Sequence, residues 1–220
     1  MNDQHTPVRI EFELRTPMIV PTTGKHLDAL LSWAAVQQAD YSGSDDPIAL
    51  QHHTGLARHR VGDDWCFMAS LLEYEWVGEP DQVHYIKRSR LEDYAGAWDA
   101  GLFRKKPYFD GARGATKAGS YLQPMRWARK ITGFAMVEDM DRVKDLLPWI
   151  THIGKLSHKD FGAVSGFELR EDVAAQVAWR KRALPAKSPL AMDHVRAIGA
   201  LVSPYWQREN FKQVAMFCGT

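Results

Sequence analysis

Val8-Arg9-Ile10-Glu11-Phe12-Glu13-Leu14 alternates apolar and charged side chains along its whole length. Successive side chains of a strand point to opposite faces. The stretch therefore predicts a half-buried strand, with Val8, Ile10, Phe12 and Leu14 toward a core and Arg9, Glu11 and Glu13 outside. Downstream of it, Thr16 to Lys25 carries proline and glycine and predicts a loop. The period then changes. Leu27, Leu30, Leu31, Ala34 and Ala35 recur at three- and four-residue spacing, which predicts a helix from about His26 to Ala39.

Further along, Trp65 to Val77 predicts a long aromatic strand ending at Gly78-Glu79-Pro80, and Ile131 to Val137 predicts a short third strand. Asp139 is placed to cap a second helix, whose face is Val143, Leu146, Leu147 and Ile150. Val164 to Leu169 predicts a fourth strand. With the segment before Ile131 set aside as an insertion, the order is strand, helix, strand, strand, helix, strand. That is an α+β fold of the ferredoxin-like kind. The expected organisation is a core at 1–86 and 131–170, an insertion at 87–130 and a C-terminal extension at 171–220. In the extension, Val173 to Leu184 fits either a helix or a strand, and Ala197 to Val202 is short and apolar.

The 220 residues are 45% hydrophobic and 25% charged, an ordinary globular composition long enough to bury a core. No run approaches the roughly 20 apolar residues of a membrane span, and the polar N-terminus has no signal-peptide pattern. Cys66 and Cys218 are too few for a disulfide framework or a cysteine zinc site. The expectation is a soluble cytoplasmic protein with no membrane partner, no metal and no cofactor.

The net charge of +1 hides an uneven distribution, since 87–130 holds eleven Lys and Arg against four Asp and Glu. The cations are Lys87, Arg88, Arg90, Arg104, Lys105, Lys106, Arg113, Lys117, Arg126, Arg129 and Lys130. Aromatics stand among them, Tyr108 and Trp127 included. Cations satisfy backbone phosphates and aromatic faces stack unpaired bases, so the pattern points to single-stranded nucleic acid. A long solvated loop with its own small core is the plainer alternative. Two carboxylates on the outer face of the first strand argue against base stacking on the sheet, so binding is expected from loops.

A second basic feature is Gly154-Lys155-Leu156-Ser157-His158-Lys159-Asp160-Phe161-Gly162, between the second helix and the fourth strand. Glycine lets backbone N–H groups approach a phosphate, and Gly154, Lys155, His158 and Lys159 are the candidate contacts. Taken alone, the stretch also fits an ordinary basic helix-to-strand turn. His52, His53 and His59 lack partners at metal spacing. His26 opens the first helix, where the dipole lowers imidazole basicity and a neutral base could sit.

The stretch Gly24-Lys25-His26-Leu27-Asp28-Ala29-Leu30-Leu31-Ser32-Trp33-Ala34 resembles the first helix of the RAMP superfamily of CRISPR proteins. Within that superfamily it is similar to the Cas-five-type subunit of type IV CRISPR effector complexes. Trp179-Arg180-Lys181-Arg182-Ala183-Leu184-Pro185 and Pro204-Tyr205-Trp206 also look like that family, and the glycine-rich stretch sits where the superfamily's signature loop sits. The resemblance implies a non-catalytic subunit that binds and caps the 5′ handle of the guide RNA and contacts the backbone RAMP subunit and the large subunit. Target DNA would lie near. It further implies that 87–130 is a thumb and that Lys155, His158 and Lys159 meet handle phosphates. Reading of the target is left to guide base pairing. Two alternatives stay open. One is a metal-independent endoribonuclease that processes precursor guide RNA with His26 as general base. The other is a general single-strand RNA chaperone.

Overall fold

A computed structural model describes residues 5–87, 98 and 119–218. Its main sheet is built on β1 (Thr6–Leu14), which lies antiparallel between β6 (Gly119–Val137) and β7 (Val164–Glu171). β6 also pairs with β2 (Met18–Ile19) and β5 (Glu73–Lys87). The alternation in β1 is realised as read. Val8, Ile10 and Phe12 are fully buried, with Ile10 opposite Gly133 on one side and Leu169 on the other.

Two helices cover the inner face. α1 (Leu27–Tyr41) buries Leu27, Leu31, Ala34 and Ala35, and α2 (Met140–Leu146) adds Val143 and Leu146, followed by Leu147 and Ile150, all in one apolar cluster with β1. The Asp139 carboxylate caps α2 by accepting from the Arg142 N–H at 2.9 Å. α1 comes so close to the sheet that a Cβ on Gly133 would stand 2.9 Å from the Leu27 side chain, so the strand carries a glycine where the helix crosses it.

Three strand limits differ from the sequence reading. The stretch at 65–77 is not one strand. β3 (Arg58–Val61) and β4 (Asp64–Phe67) form a hairpin of their own, and β5 starts only at Glu73. Between them the backbone is claimed elsewhere. The N–H groups of Ser70, Leu71 and Leu72 donate to the carbonyls of Phe134, Lys181 and Lys25. Gly78-Glu79-Pro80 does not end the strand either. Gly78 takes a left-handed conformation at φ +68° inside β5, and Pro80 lies in a strand that, among the described residues, pairs with β6 alone, an edge position where proline is tolerated. β6 starts at Gly119 rather than at Ile131, so the last part of the expected insertion is strand.

After β7 the chain forms α3 (Ala175–Ala178) and a three-stranded antiparallel sheet, β8 (Leu184–Pro185), β10 (Phe211–Phe217) and β9 (His194–Ala200), in that spatial order. The ambiguous stretch at 173–184 thus holds both a short helix and the start of a strand. Trp179, Leu184, Leu201 and Val214 of this region pack with Ala57, Cys66 and Met136 in a second apolar cluster. The chain divides into two compact units, Met1–Gly78 with Arg126–Thr220, and Glu79–Met125. The C-terminal region belongs to the first. In the second, His84 and Ser120 are hydrogen-bonded, and Ile86, Tyr121 and Leu122 are exposed.

Candidate functional site

The glycine-rich loop is held shut by the turn after β1. Gly162 N–H donates to the Pro17 carbonyl and Ile153 N–H to the Gly162 carbonyl, at 2.9 and 2.8 Å. Thr16 Oγ1 donates to the Asp160 carbonyl at 2.6 Å and accepts from the Ala163 N–H at 2.9 Å. Gly162 has φ +68°, and a Cβ there would lie 2.0 Å from the Ile153 oxygen, so only glycine fits. Leu156 and Asp160 are also left-handed, at φ 60° and 64°, an uncommon conformation for residues with a side chain. His152 and Arg15 approach Asp160 at 3.2 and 3.4 Å, and the hydrogen bond from His152 helps to hold its carboxyl below the ordinary range. Lys155, His158 and Lys159 are exposed on this frame, beside Gly154 at φ +108°.

Of the basic residues expected in the insertion, Arg126, Arg129 and Lys130 are described, and each meets a protein acceptor. Arg126 Nε donates to the Gly78 carbonyl at 2.7 Å, with its guanidinium 5.8 Å from the Trp76 ring centroid. Arg129 pairs with Glu75 at 3.0 Å, and Lys130 with Glu11 at 3.1 Å. Exposed pairs of the Arg129 kind contribute about 0–1 kcal/mol, so an anionic ligand can compete for them. Trp127 is 48% exposed. Lys87 ends β5. Arg88, Arg90, Arg104, Lys105, Lys106, Tyr108, Arg113 and Lys117 lie outside the described residues.

Of the two carboxylates on the outer sheet face, Glu13 is exposed and Glu11 is covered by cations. Glu11 is only 5% exposed, with Arg9, Lys130 and Arg170 at 3.7, 3.1 and 2.9 Å. Three cations share one carboxylate, and Arg9 also meets Asp172 at 3.3 Å. The alternation places Glu11 and Arg9 on this face, but Lys130 and Arg170 arrive from the neighbouring strands β6 and β7.

His26 stands at the N-cap of α1 and is drawn into a buried cluster. Its ring stacks on Tyr205 with centroids 4.2 Å apart and planes 6° from parallel. Tyr205 donates its hydroxyl proton to Asp28 Oδ2 at 2.6 Å and accepts from Arg182 Nη2 at 2.8 Å. Arg182 and Asp28 are both fully buried, 3.2 Å apart. The rest of the guanidinium donates to the carbonyls of Phe67, Ala69, Ala183 and Leu201. Burial pushes the Asp28 carboxyl up, while Arg182 and the Tyr205 hydroxyl pull it back. Burial, then the nearby Arg182 and Lys25 cations, hold His26 well below its ordinary pKa. Asp28, Arg182 and Tyr205 belong to the three stretches singled out by resemblance, and the fold brings all three stretches to one point. Sequence reasoning picked only His26 from this cluster. The available signal was an aspartate on the apolar side of an amphipathic helix, which calls for a buried cation.

Two of the other histidines hold protein partners. His52 Nε2 meets the Ser203 carbonyl at 2.8 Å, and His59 Nε2 meets Ser188 Oγ at 3.0 Å. Among the described residues no group of His, Cys, Asp and Glu could hold a metal ion. Burial pushes the Cys66 thiol up to about 11, so it is not a reactive thiolate. No described helix is long and apolar enough to cross a membrane.

No curated protein matches the sequence. The family described as CRISPR type IV associated protein Csf3 matches residues 6–217. The match runs from β1 to the end of β10 and takes in the closed glycine loop and all members of the Asp28–Arg182–Tyr205 cluster. The chain belongs to the type IV CRISPR-associated Csf3 family.

Proposed function

We propose that this chain is the Cas-five-type RAMP subunit of a type IV CRISPR ribonucleoprotein, binding and capping the 5′ handle of the guide RNA. The observation that carries the reading is the glycine loop between α2 and β7. Its frame is closed by Thr16, Pro17 and Gly162, and its cations Lys155, His158 and Lys159 are exposed. A backbone fixed before binding loses little entropy when it receives a phosphate. Counting β1, β5, β6 and β7 as the four strands, the order four-one-three-two with α1 and α2 over one face supports a ferredoxin-like RAMP core. The basic, aromatic stretch at 87–130 serves as the thumb, and the remaining surface meets the backbone and large subunits.

The subunit acts without catalysis. A general base must accept a proton, and burial and two nearby cations oppose charge on His26. Its ring is committed to Tyr205, with Nδ1 buried and unbonded. The test is a competition assay. The full chain should prefer repeat-derived handle RNA over a scrambled RNA of equal length, and Lys155→Ala with Lys159→Ala should weaken that binding. A His26→Ala variant should leave RNA lengths unchanged, and uncut precursor accumulating in that variant would establish the endoribonuclease reading instead.

A further inference from the structure

Between the start of α1 and the β9–β10 sheet lies a cleft of about 640 Å³. Its size is within the roughly 300–1,000 Å³ typical of small-ligand sites. Its lining includes the stacked His26–Tyr205 pair. One wall is apolar, with Ile198 65% exposed and Phe211 46% exposed. Trp206, 81% exposed, also lines the cleft. Lys25 also lines the cleft; its ammonium has no ion pair among the described residues, and it lies close enough to His26 to depress its basicity. No Asp or Glu lines the cleft, whereas the polar cavity by the β3–β4 hairpin is lined by Glu138 and Asp139.

We propose that this cleft takes one unstacked nucleotide of single-stranded RNA, its base against Trp206 and the apolar wall and its phosphate at Lys25. The inference rests on the RNA-binding reading above but adds a site outside the thumb and the glycine loop. Three exposed apolar side chains in one concavity want a flat apolar partner. A base supplies that on both faces, and stacking on an aromatic is tolerant of sequence. An unpaired cation with no carboxylate beside it selects an anionic ligand, which an apolar peptide is not.

The test uses the full-length chain and handle RNA carrying 4-thiouridine, with Trp206→Ala, Trp206→Phe, Lys25→Ala and, as a control, Trp33→Ala. Trp33 is 61% exposed on α1 and does not line the cleft. Trp206→Ala should weaken RNA binding roughly tenfold, the scale of one lost base stack, and Trp206→Phe should restore most of it. Lys25→Ala should lower the salt slope by about 0.7. Photocrosslinks should fall in the peptide containing Trp206 and vanish in Trp206→Ala, while Trp33→Ala behaves as the unaltered protein. Trp206 is exposed, so its loss does not threaten folding. If the unaltered chain binds the RNA and both cleft variants bind it equally well, the cleft assignment is wrong and the RNA reading stands. If the unaltered chain binds no RNA, the RNA reading falls and the cleft assignment with it.

Discussion

Asp28 and Arg182 are 154 positions apart in the chain, both without exposed side-chain surface, and 3.2 Å apart in space. Removing one member of such a pair leaves the other charged and desolvated, which costs about 3–5 kcal/mol, whereas replacing both is far milder. Arg182→Met should therefore lower urea stability by about that amount, and Arg182→Met with Asp28→Leu should recover a good part of it. Equal losses in the single and double variants would show that the pairing is not what matters. His26 adds a pH dependence. Its folded pKa lies below the free value of 6.5, so the unfolded chain binds the proton more readily. The contribution is complete above about pH 6.5 and is lost as pH falls toward the folded pKa; partly buried His59, shifted the same way, adds to it. The thermal midpoint should drop between about pH 7 and pH 5.5, and His26→Phe, which keeps a ring on Tyr205, should flatten that drop. A midpoint that stays level across this range would contradict the burial of His26.

The elements that the sequence announced were those whose periodicity is set by one buried face. β1 and α1 came out within two residues because Val8, Ile10 and Phe12, or Leu27, Leu31 and Ala34, each see a single core. The stretch at 68–72 was not legible, since its fate depends on carbonyls of Phe134, Lys181 and Lys25 that local pattern does not reveal. For the same reason the loop at 154–162 could be located as a glycine-bracketed turn, but the part played by Thr16 and Pro17 in closing it could not. Gly162→Ala tests that closure. A Cβ at 2.0 Å from the Ile153 oxygen adds a clash to the left-handed backbone, so the cost should exceed about 1 kcal/mol. The loop amides should also gain hydrogen exchange while β1 stays protected. An alanine variant of unchanged stability would mean the loop is not packed against Ile153.

Over the whole molecule, charge separates in sequence, with a surplus of seven positive charges within 87–130 on a body that sums to about −6. That asymmetry was fully visible in the sequence, and the cleft was not, because Lys25 and Trp206 line one cavity only once the C-terminal region is folded. Replacing Arg104, Lys105 and Lys106 together by Ala removes up to three phosphate contacts at about 0.7 units of slope each, so the salt dependence of handle binding should flatten by up to ~2 units. Arg9→Ala should leave RNA binding nearly unchanged, since Lys130 and Arg170 still neutralise Glu11. Loss of RNA in the Arg9 variant with normal binding by the triple variant would move the interface to the sheet. The central claim is that this chain holds the repeat-derived 5′ end of the guide. It is tested most directly by crosslinking the tagged chain to RNA in its native host, purifying it and sequencing the RNA at the crosslinks. The account predicts crosslinks concentrated on the 5′ handle of the guides, and crosslinks spread over unrelated transcripts, or confined to the guide's 3′ end, would contradict it.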